Sequence, residues 1–161
     1  MIAGGGMRLN ASERAELIAR YRDGYRAFMD ALEGLSEEEL DHAPDGEWTP
    51  REIAHHLADA EMIGAERIRR LLSEPDAQIQ GYDEKAFAHL AMRRPIEPSL
   101  IALQGARETT VQILERMTDD DWKRAGTHSE RGRYTVEDWL TVYASHAHDH
   151  AEQVRRVRGR V

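Results

Sequence analysis

The chain contains no cysteine. Disulfides, thiolate metal ligands and a cysteine nucleophile are therefore excluded, and any thiol chemistry needs a thiol from outside the chain. Positive charge is also in short supply: 22 Lys and Arg stand against 30 Asp and Glu, a net charge of −8. That balance argues against a phosphate-neutralising face, so no nucleic-acid partner is expected. No apolar run approaches the ~18 residues of a membrane span, so no membrane partner is expected either. The opening MIAGGGM has neither a basic stretch nor a long apolar one, which gives no sign of a secretory signal and points to the cytoplasm.

What is present suits one folded domain. A chain of 161 residues can bury a substantial core, and 40% hydrophobic with 32% charged residues is a globular rather than a disordered balance. Residues 1–9, with Gly4-Gly5-Gly6, read as a disordered tail in which Met7 is an alternative start; residues 10–161 read as a single domain. Four long segments carry helical periodicity. The first runs from about Ser12 to Leu35, with Leu17, Ile18, Tyr21, Tyr25, Phe28 and Leu32 on one face. The second opens at Thr49-Pro50-Arg51-Glu52, where Thr49 reads as N-cap, Pro50 as the first helical residue and Glu52 as the capping-box acid. Its stripe is Ile53, His56, Leu57, Ala60, Gly64, Ile68 and Leu71. The third begins near Pro98-Ser99, with Leu100, Leu103, Val111, Leu114 and Met117 inward. The fourth opens at Thr135 with Asp138 as capping partner, and its stripe is Val136, Trp139, Leu140, Tyr143, His146, His150, Val154 and Val157. Ser36–Glu39 and Thr118–Asp121 read as starts of short helical turns. Residues 73–97 form a long link with a short helix around Asp83 to Ala91, and such an insertion is more often functional than idle. Residues 124–134 read as a small hairpin or a loop, and no strand pattern long enough for a sheet is evident.

Three histidines sit where apolar residues are expected: His56 on the second stripe, His146 and His150 on the fourth. A core-facing imidazole is costly unless it is hydrogen-bonded or holds a metal. At about 100° per residue, positions four apart share a helix face, so His146 and His150 point together one turn apart. By the same rotation His55 turns about 100° away from the His56 stripe, and His148 turns about 200° from His146 to face solvent. Two readings stand side by side, core histidines satisfied by hydrogen bonds or three ligands of one divalent cation. Other metal patterns fit poorly. There is no H-E-x-x-H, and the one Glu-x-x-His spacing, Glu52 to His55, has no second copy and uses a capping glutamate.

Two segments carry a family resemblance. Trp48 to Glu61 (WTPREIAHHLADAE) resembles the second-helix signature of the DinB-like superfamily, and Ser145 to Val154 (SHAHDHAEQV) resembles its last-helix signature. Gly81 to Phe87 (GYDEKAF) and Arg94 to Leu100 (RPIEPSL) resemble the YfiT-like, bacillithiol-transferase-like branch. The resemblance runs from Asn10 to about Arg158 and departs at Ser145, where the branch usually has an aromatic residue. It implies an all-α four-helix bundle of up-down-down-up connectivity, with the long link as crossover between helices two and three. It also implies a metal held by His56, His146 and His150 with water completing the shell, and often a homodimer.

Three imidazoles leave coordination positions open, the arrangement of a catalytic metal. Zinc or nickel suits such donors best, and iron or cobalt also fit. The favoured function is transfer of a low-molecular-weight thiol, such as bacillithiol or mycothiol, to an electrophilic small molecule. One alternative is hydrolysis of an amide or ester, for which Asp59, Glu52 and Asp149 are the nearest acids. The other is a non-enzymatic metal-binding stress-response module. Arg107 is expected to snorkel or to pair with an acid rather than to bind substrate. Tyr82 and Asp83 either lid the site or anchor the crossover. Trp48, Trp139 and Tyr143 are expected in the core or pocket wall, and His42, His89 and His128 at the surface. Glu37-Glu38-Glu39 and the arginines at 155, 156, 158 and 160 suit the dipoles of the helix ends they occupy.

Overall fold

Each long helix but one begins at a reciprocal cap. The computed structural model describes residues 8–90 and 93–159; the calls on the tail through Met7, on Ala91 and on Arg160 lie outside them. Helix α1 (Ala11–Leu32) is capped by Asn10, with Glu13 reaching back to the cap N–H. The short α2 (Glu37–Leu40) has Ser36 and Glu39 in these roles. Helix α3 (Pro50–Ser73) has Thr49 and Glu52, with Pro50 opening the first turn as expected. Helix α4 (Glu84–His89) is the short helix of the crossover, capped by Asp83. Helix α5 (Glu97–Leu114) has no side-chain cap and starts through Pro98. Helix α6 (Val136–Arg158) has Thr135 and Asp138. Helix α1 stops three residues short of Leu35 because Gly34 takes a φ of +75°, a conformation that ends helices.

Contacts along the helices fix their directions. Arg14 meets Glu137, Gly24 lies against Ala147 and Arg158 donates to the Glu33 carbonyl, so α1 and α6 run parallel. His55 meets Ser99, Glu61 meets Arg107 and Arg69 meets Thr110, so α3 and α5 also run parallel. His56 meets His150 while Trp139 donates to the Gly64 carbonyl, so α3 and α6 are antiparallel. Met29 and Leu32 flank Ile96 and Leu100 while Tyr21 meets Arg107, so α1 and α5 are antiparallel. The result is an up-down-down-up four-helix bundle. Parallel α3 and α5 need a connection that travels back along the bundle, which residues 74–96 supply.

The helical reading needs one addition, a small three-stranded sheet. Strand β1 (Gln78–Ile79) pairs in parallel with β2 (Ala125–His128), which forms a hairpin with β3 (Gly132–Thr135). Strands of two to four residues are too short to show a period in sequence, and Gly132 turns the hairpin with a φ of +74°. The sheet closes one end of the bundle through Ile79 and Tyr134.

The core has two apolar clusters. One gathers Tyr21, Ile68, Leu71, Trp139 and Tyr143; the other Phe28, Ile53, Leu57, Leu103 and Val154. Along α3, α5 and α6 the residues between these clusters are Glu61, Arg107 and His146, so a polar layer divides the core. Glu61 and Arg107 form an ion pair that is 0% and 2% exposed. Arg107 also donates to the Tyr21 carbonyl, and the Tyr21 hydroxyl donates to Glu61. The expected pairing of Arg107 with an acid is what the fold contains.

Candidate metal centre

The site forms where the stripes of two antiparallel helices meet. On α3, Ile53, Leu57 and Ala60 pack into the bundle and carry His56 with them to 3% exposure. On α6, Tyr143, Ala147 and Ala151 are buried and bring half-buried His146 and His150 to the same level. Close approach of the helices depends on Gly64. A Cβ there would fall 2.3 Å from the Tyr143 ring. Tyr143 stacks on Trp139 with centroids 4.8 Å apart, and the Trp139 indole N–H donates to the Gly64 carbonyl at 2.8 Å. These contacts hold α6 in register with α3.

The three imidazoles converge. Their ring centroids are 5.4 Å (His56–His146), 4.8 Å (His56–His150) and 4.6 Å (His146–His150) apart. One nitrogen from each lies within 4.8 Å of the others. Nε2 of His146 and Nε2 of His150 are 3.1 Å apart. Two nitrogens about 2.05 Å from one ion are separated by about 2.9 Å at a right angle and about 3.4 Å at a tetrahedral angle. The observed spacing falls within that range, so the pair fits a first-row divalent ion. The Gln153 side-chain oxygen lies 2.8 Å from His150 Nδ1. Gln153 accepts there, which puts the His150 proton on Nδ1 and leaves Nε2 as a lone pair facing the cluster.

Electrostatics favour neutral rings. Burial, reinforced by His150, pushes His56 down to about 4. Burial, with His150 and His56 adding to it, pushes His146 down to about 3. His150 is lowered by burial, against an opposing pull from Gln153. Neutral imidazole is the form that binds metal, so the ligands are prepared for an ion at neutral pH.

The cluster opens into a cleft of about 420 Å³. Trp48 forms one wall, its ring 4.8 Å from that of His56. Glu84 of α4 and the Glu47–Arg156 pair, 3.2 Å apart, line the rest. The crossover thus reaches the site as its length suggested, through Glu84 rather than Asp83, which caps α4. Tyr82 instead lies with its ring near Arg67 and Phe87.

Several histidines depart from expectation. His55, placed off the core stripe by periodicity, is 2% exposed. Its ring lies 2.7 Å from the Ser99 hydroxyl and 3.2 Å from the Arg94 carbonyl, so a second face of α3 is covered by α5 and the crossover. His128, expected at the surface, is buried in the hairpin, with its Nδ1 accepting from the Glu130 N–H at 3.2 Å. His148 is half-buried, its Nε2 2.9 Å from the Arg20 carbonyl on α1. His42 and His89 are exposed, as expected. Of the acids considered for hydrolysis, Glu52 caps α3 and Asp149 is exposed. Asp59 is half-buried, and burial raises its pKa. Sequence reasoning gave no role to Glu61, Arg67 or Glu84. Glu61 alone had a visible signal, lying one residue past Ala60 on a predicted inward stripe.

Comparison with known proteins agrees with this architecture. A protein from Geobacillus thermodenitrificans is 34% identical over 93% of this chain and 86% of its own length. YfiT of Bacillus subtilis is 33% identical over 81% of this chain and 76% of its own. Both carry the name "putative metal-dependent hydrolase". The solved structure of YfiT, described as a "probable metal-dependent hydrolase with an unusual four-helix bundle topology", matches with a TM-score of 0.90 at 27% identity. That match covers 99% of this chain and 93% of YfiT. A mycothiol-dependent maleylpyruvate isomerase matches at a TM-score of 0.72 and 10% identity, over 88% of this chain and 60% of that one, a likeness of fold alone. No helix among the described residues is long and apolar enough to cross a membrane. The relatives and the three-imidazole cluster together support a metal-dependent enzyme. The family model described as the DinB superfamily matches residues 20–154, a span that includes both histidine helices, and the chain belongs to that superfamily.

Proposed function

We propose that the chain is a metal-dependent transferase that joins a low-molecular-weight thiol to an electrophilic small molecule, with His56, His146 and His150 holding a zinc or nickel ion. The observation that carries this reading is the donor set: three neutral imidazoles, with no carboxylate among them, at the wall of an open cleft. When bound, a divalent ion supplies the charge that lowers the pKa of a coordinated thiol or water. The imidazoles bring no negative charge of their own, so an anionic sulfur is favoured as the next partner. Gln153 fixes the His150 ring, while Trp48 and Tyr143 limit where the His56 and His146 rings can turn. Thiol alkylation needs no acid at the cluster: the S–H proton goes to solvent, the S–C bond forms, and the leaving group departs with its electron pair.

One observation favours hydrolysis instead. Glu84 lines the same cleft and is a candidate base for water. The test uses zinc- and nickel-loaded protein in two assays: thiol alkylation by iodoacetamide with several low-molecular-weight thiols, and hydrolysis of amides and esters without thiol. Metal-dependent thiol consumption supports transfer. Hydrolysis alone, abolished in Glu84→Gln, supports the second reading. A bundle that unfolds on metal removal and turns over nothing makes the ion a structural lock.

A further inference from the structure

Three buried side-chain polar atoms have no hydrogen-bond partner among the described residues: Arg67 Nε, Tyr82 Oη and His146 Nδ1. They gather around Tyr143. Its ring is 6.1 Å from that of His146, and its hydroxyl takes a long 3.4 Å hydrogen bond from Arg67. The Arg67 guanidinium is 5.8 Å from the Tyr82 ring centroid. Buried orphans are rare in native structures, and neighbouring ones point to a missing partner. Here the missing partner is an acceptor. Arg67 Nε–H and Tyr82 O–H can both donate, and so can His146 Nδ1–H when its Nε2 faces the cluster.

Arg67 also has no direct counter-charge among the described residues, although Glu130 acts with it on His128 and Glu61 acts with it on Tyr143. It makes no ion pair among the described residues, and its one short bond goes to the Gln80 carbonyl at 2.7 Å. Arg131 adds a second positive charge nearby, acting with Arg67 on His128 and Tyr134. The carboxylates facing Tyr82 are Asp59 and Glu84, and neither bonds to Arg67. Above Arg67, residues 80–83 have no regular secondary structure. They are fastened by the Gln80 bond and by the Gly81 N–H donating to Ser129 Oγ at 2.9 Å.

We propose that Arg67 and the Tyr82 hydroxyl form a carboxylate subsite beside Tyr143, where α3, α6 and the crossover meet, so that the small molecule processed at the three histidines carries a carboxylate. This rests on the site reading above and adds a substrate class to it. A carboxylate takes the Arg67 fork in place of the Gln80 carbonyl and accepts from Tyr82, satisfying both orphans. To seat it, only the Gln80 carbonyl turns away from Arg67, and Tyr82 stays in place.

Binding is measured first on metal-free full-length protein, which removes any direct carboxylate–metal contact. Saturation-transfer NMR compares propionate with propionamide at constant ionic strength. Wild type binds the acid in preference. Arg67→Met weakens propionate binding about 10- to 100-fold, the range for losing a charge-assisted hydrogen bond, and leaves little preference over the amide. Tyr82→Phe weakens it about 3- to 10-fold, as for one neutral hydrogen bond, and decides the matter if Arg67→Met does not fold. Equal binding of acid and amide, or propionate binding untouched by both variants, overturns the subsite and leaves water as the partner of the orphans. Turnover by the zinc-loaded enzyme then locates the carboxylate. Iodoacetate is compared with iodoacetamide, and 3-mercaptopropionate with 2-mercaptoethanol. A wild-type preference for one acid that collapses in Tyr82→Phe assigns the group to the electrophile or to the thiol. Arg67-dependent propionate binding without thiol turnover upholds the subsite and refutes only the transferase reading.

Discussion

Replacing Glu61 by Gln tests the polar layer that divides the core. Glu61 and Arg107 are 0% and 2% exposed, so solvent screens neither. Glutamine keeps the shape and can still accept from Tyr21, but it strips the buried guanidinium of its counter-charge. Removing one partner of a buried ion pair typically costs about 3–5 kcal/mol. At this chain length each kcal/mol lowers Tm by about 2–4 °C, so the expected fall is about 6–20 °C. Arg107→Met alone leaves the carboxylate unpaired and costs a similar amount, and it also releases the guanidinium from the Tyr21 ring, which it covers at 4.0 Å. The double variant Glu61→Gln/Arg107→Met has no uncompensated charge, so it should be more stable than the sum of its parts by at least about 2 kcal/mol. Urea denaturation and calorimetry on metal-free protein give all four corners of this cycle. Two single variants that each lose less than about 1 kcal/mol, or that add without coupling, would falsify the claim that the pair is desolvated and interdependent.

Other outcomes follow from the same geometry. His56→Ala, His146→Ala and His150→Ala should each sharply reduce bound zinc or nickel by elemental analysis, while His148→Ala and His55→Ala keep it. His55→Ala should still cost about 1–3 kcal/mol, because it removes the buried ring that bonds Ser99 and Arg94. Equal metal loss in all five variants, or in none, contradicts the assignment. Gly64→Ala should destabilise the chain by about 1–3 kcal/mol through overpacking against Tyr143, and an unchanged urea midpoint would show that α3 and α6 are not held at this distance. The metal-free protein should lose stability in mild acid. His56 and His146 titrate near 4 and 3 when folded against 6.5 ordinarily, so the unfolded chain takes up protons first as pH falls. The histidine contribution is intact above pH 6.5 and is lost progressively down to about 4 for His56 and about 3 for His146, by up to about 1.4 kcal/mol per pH unit for each imidazole. Urea midpoints at pH 7.5, 6 and 5 should fall less steeply in His146→Gln, and identical slopes refute the burial-driven shift.

Much of the site was legible because helix periodicity is a local property. Spacing alone put His146 and His150 on one face and chose His56 over its neighbour His55, and the structure brings those three rings together. The same rule failed for His55 because it assumes one buried stripe per helix. Helix α3 is covered on a second side, by α5 and the crossover, and a sequence stripe cannot show where a parallel neighbour will lie. Of the two readings of residues 124–134, hairpin or loop, the hairpin is the one that forms, but its parallel pairing with β1 escaped notice, since β1 and β2 are about fifty residues apart and too short to carry a pattern of their own.

The sequence by itself determined the four helices, the reciprocal caps of two of them and the three inward histidines, because caps and stripes depend only on neighbours within a turn or two. The tertiary structure decided everything that depends on which helices meet. It paired Glu61 with Arg107 across α3 and α5, set Glu84 of the crossover into the cleft, and left Arg67 Nε and the Tyr82 hydroxyl without an acceptor among the described residues. Glu61 and Arg107 are 46 residues apart in the chain, Arg67 and Tyr82 are 15 apart, and Glu84 is 66 from His150, so only the packing of the bundle brings them within reach of one another.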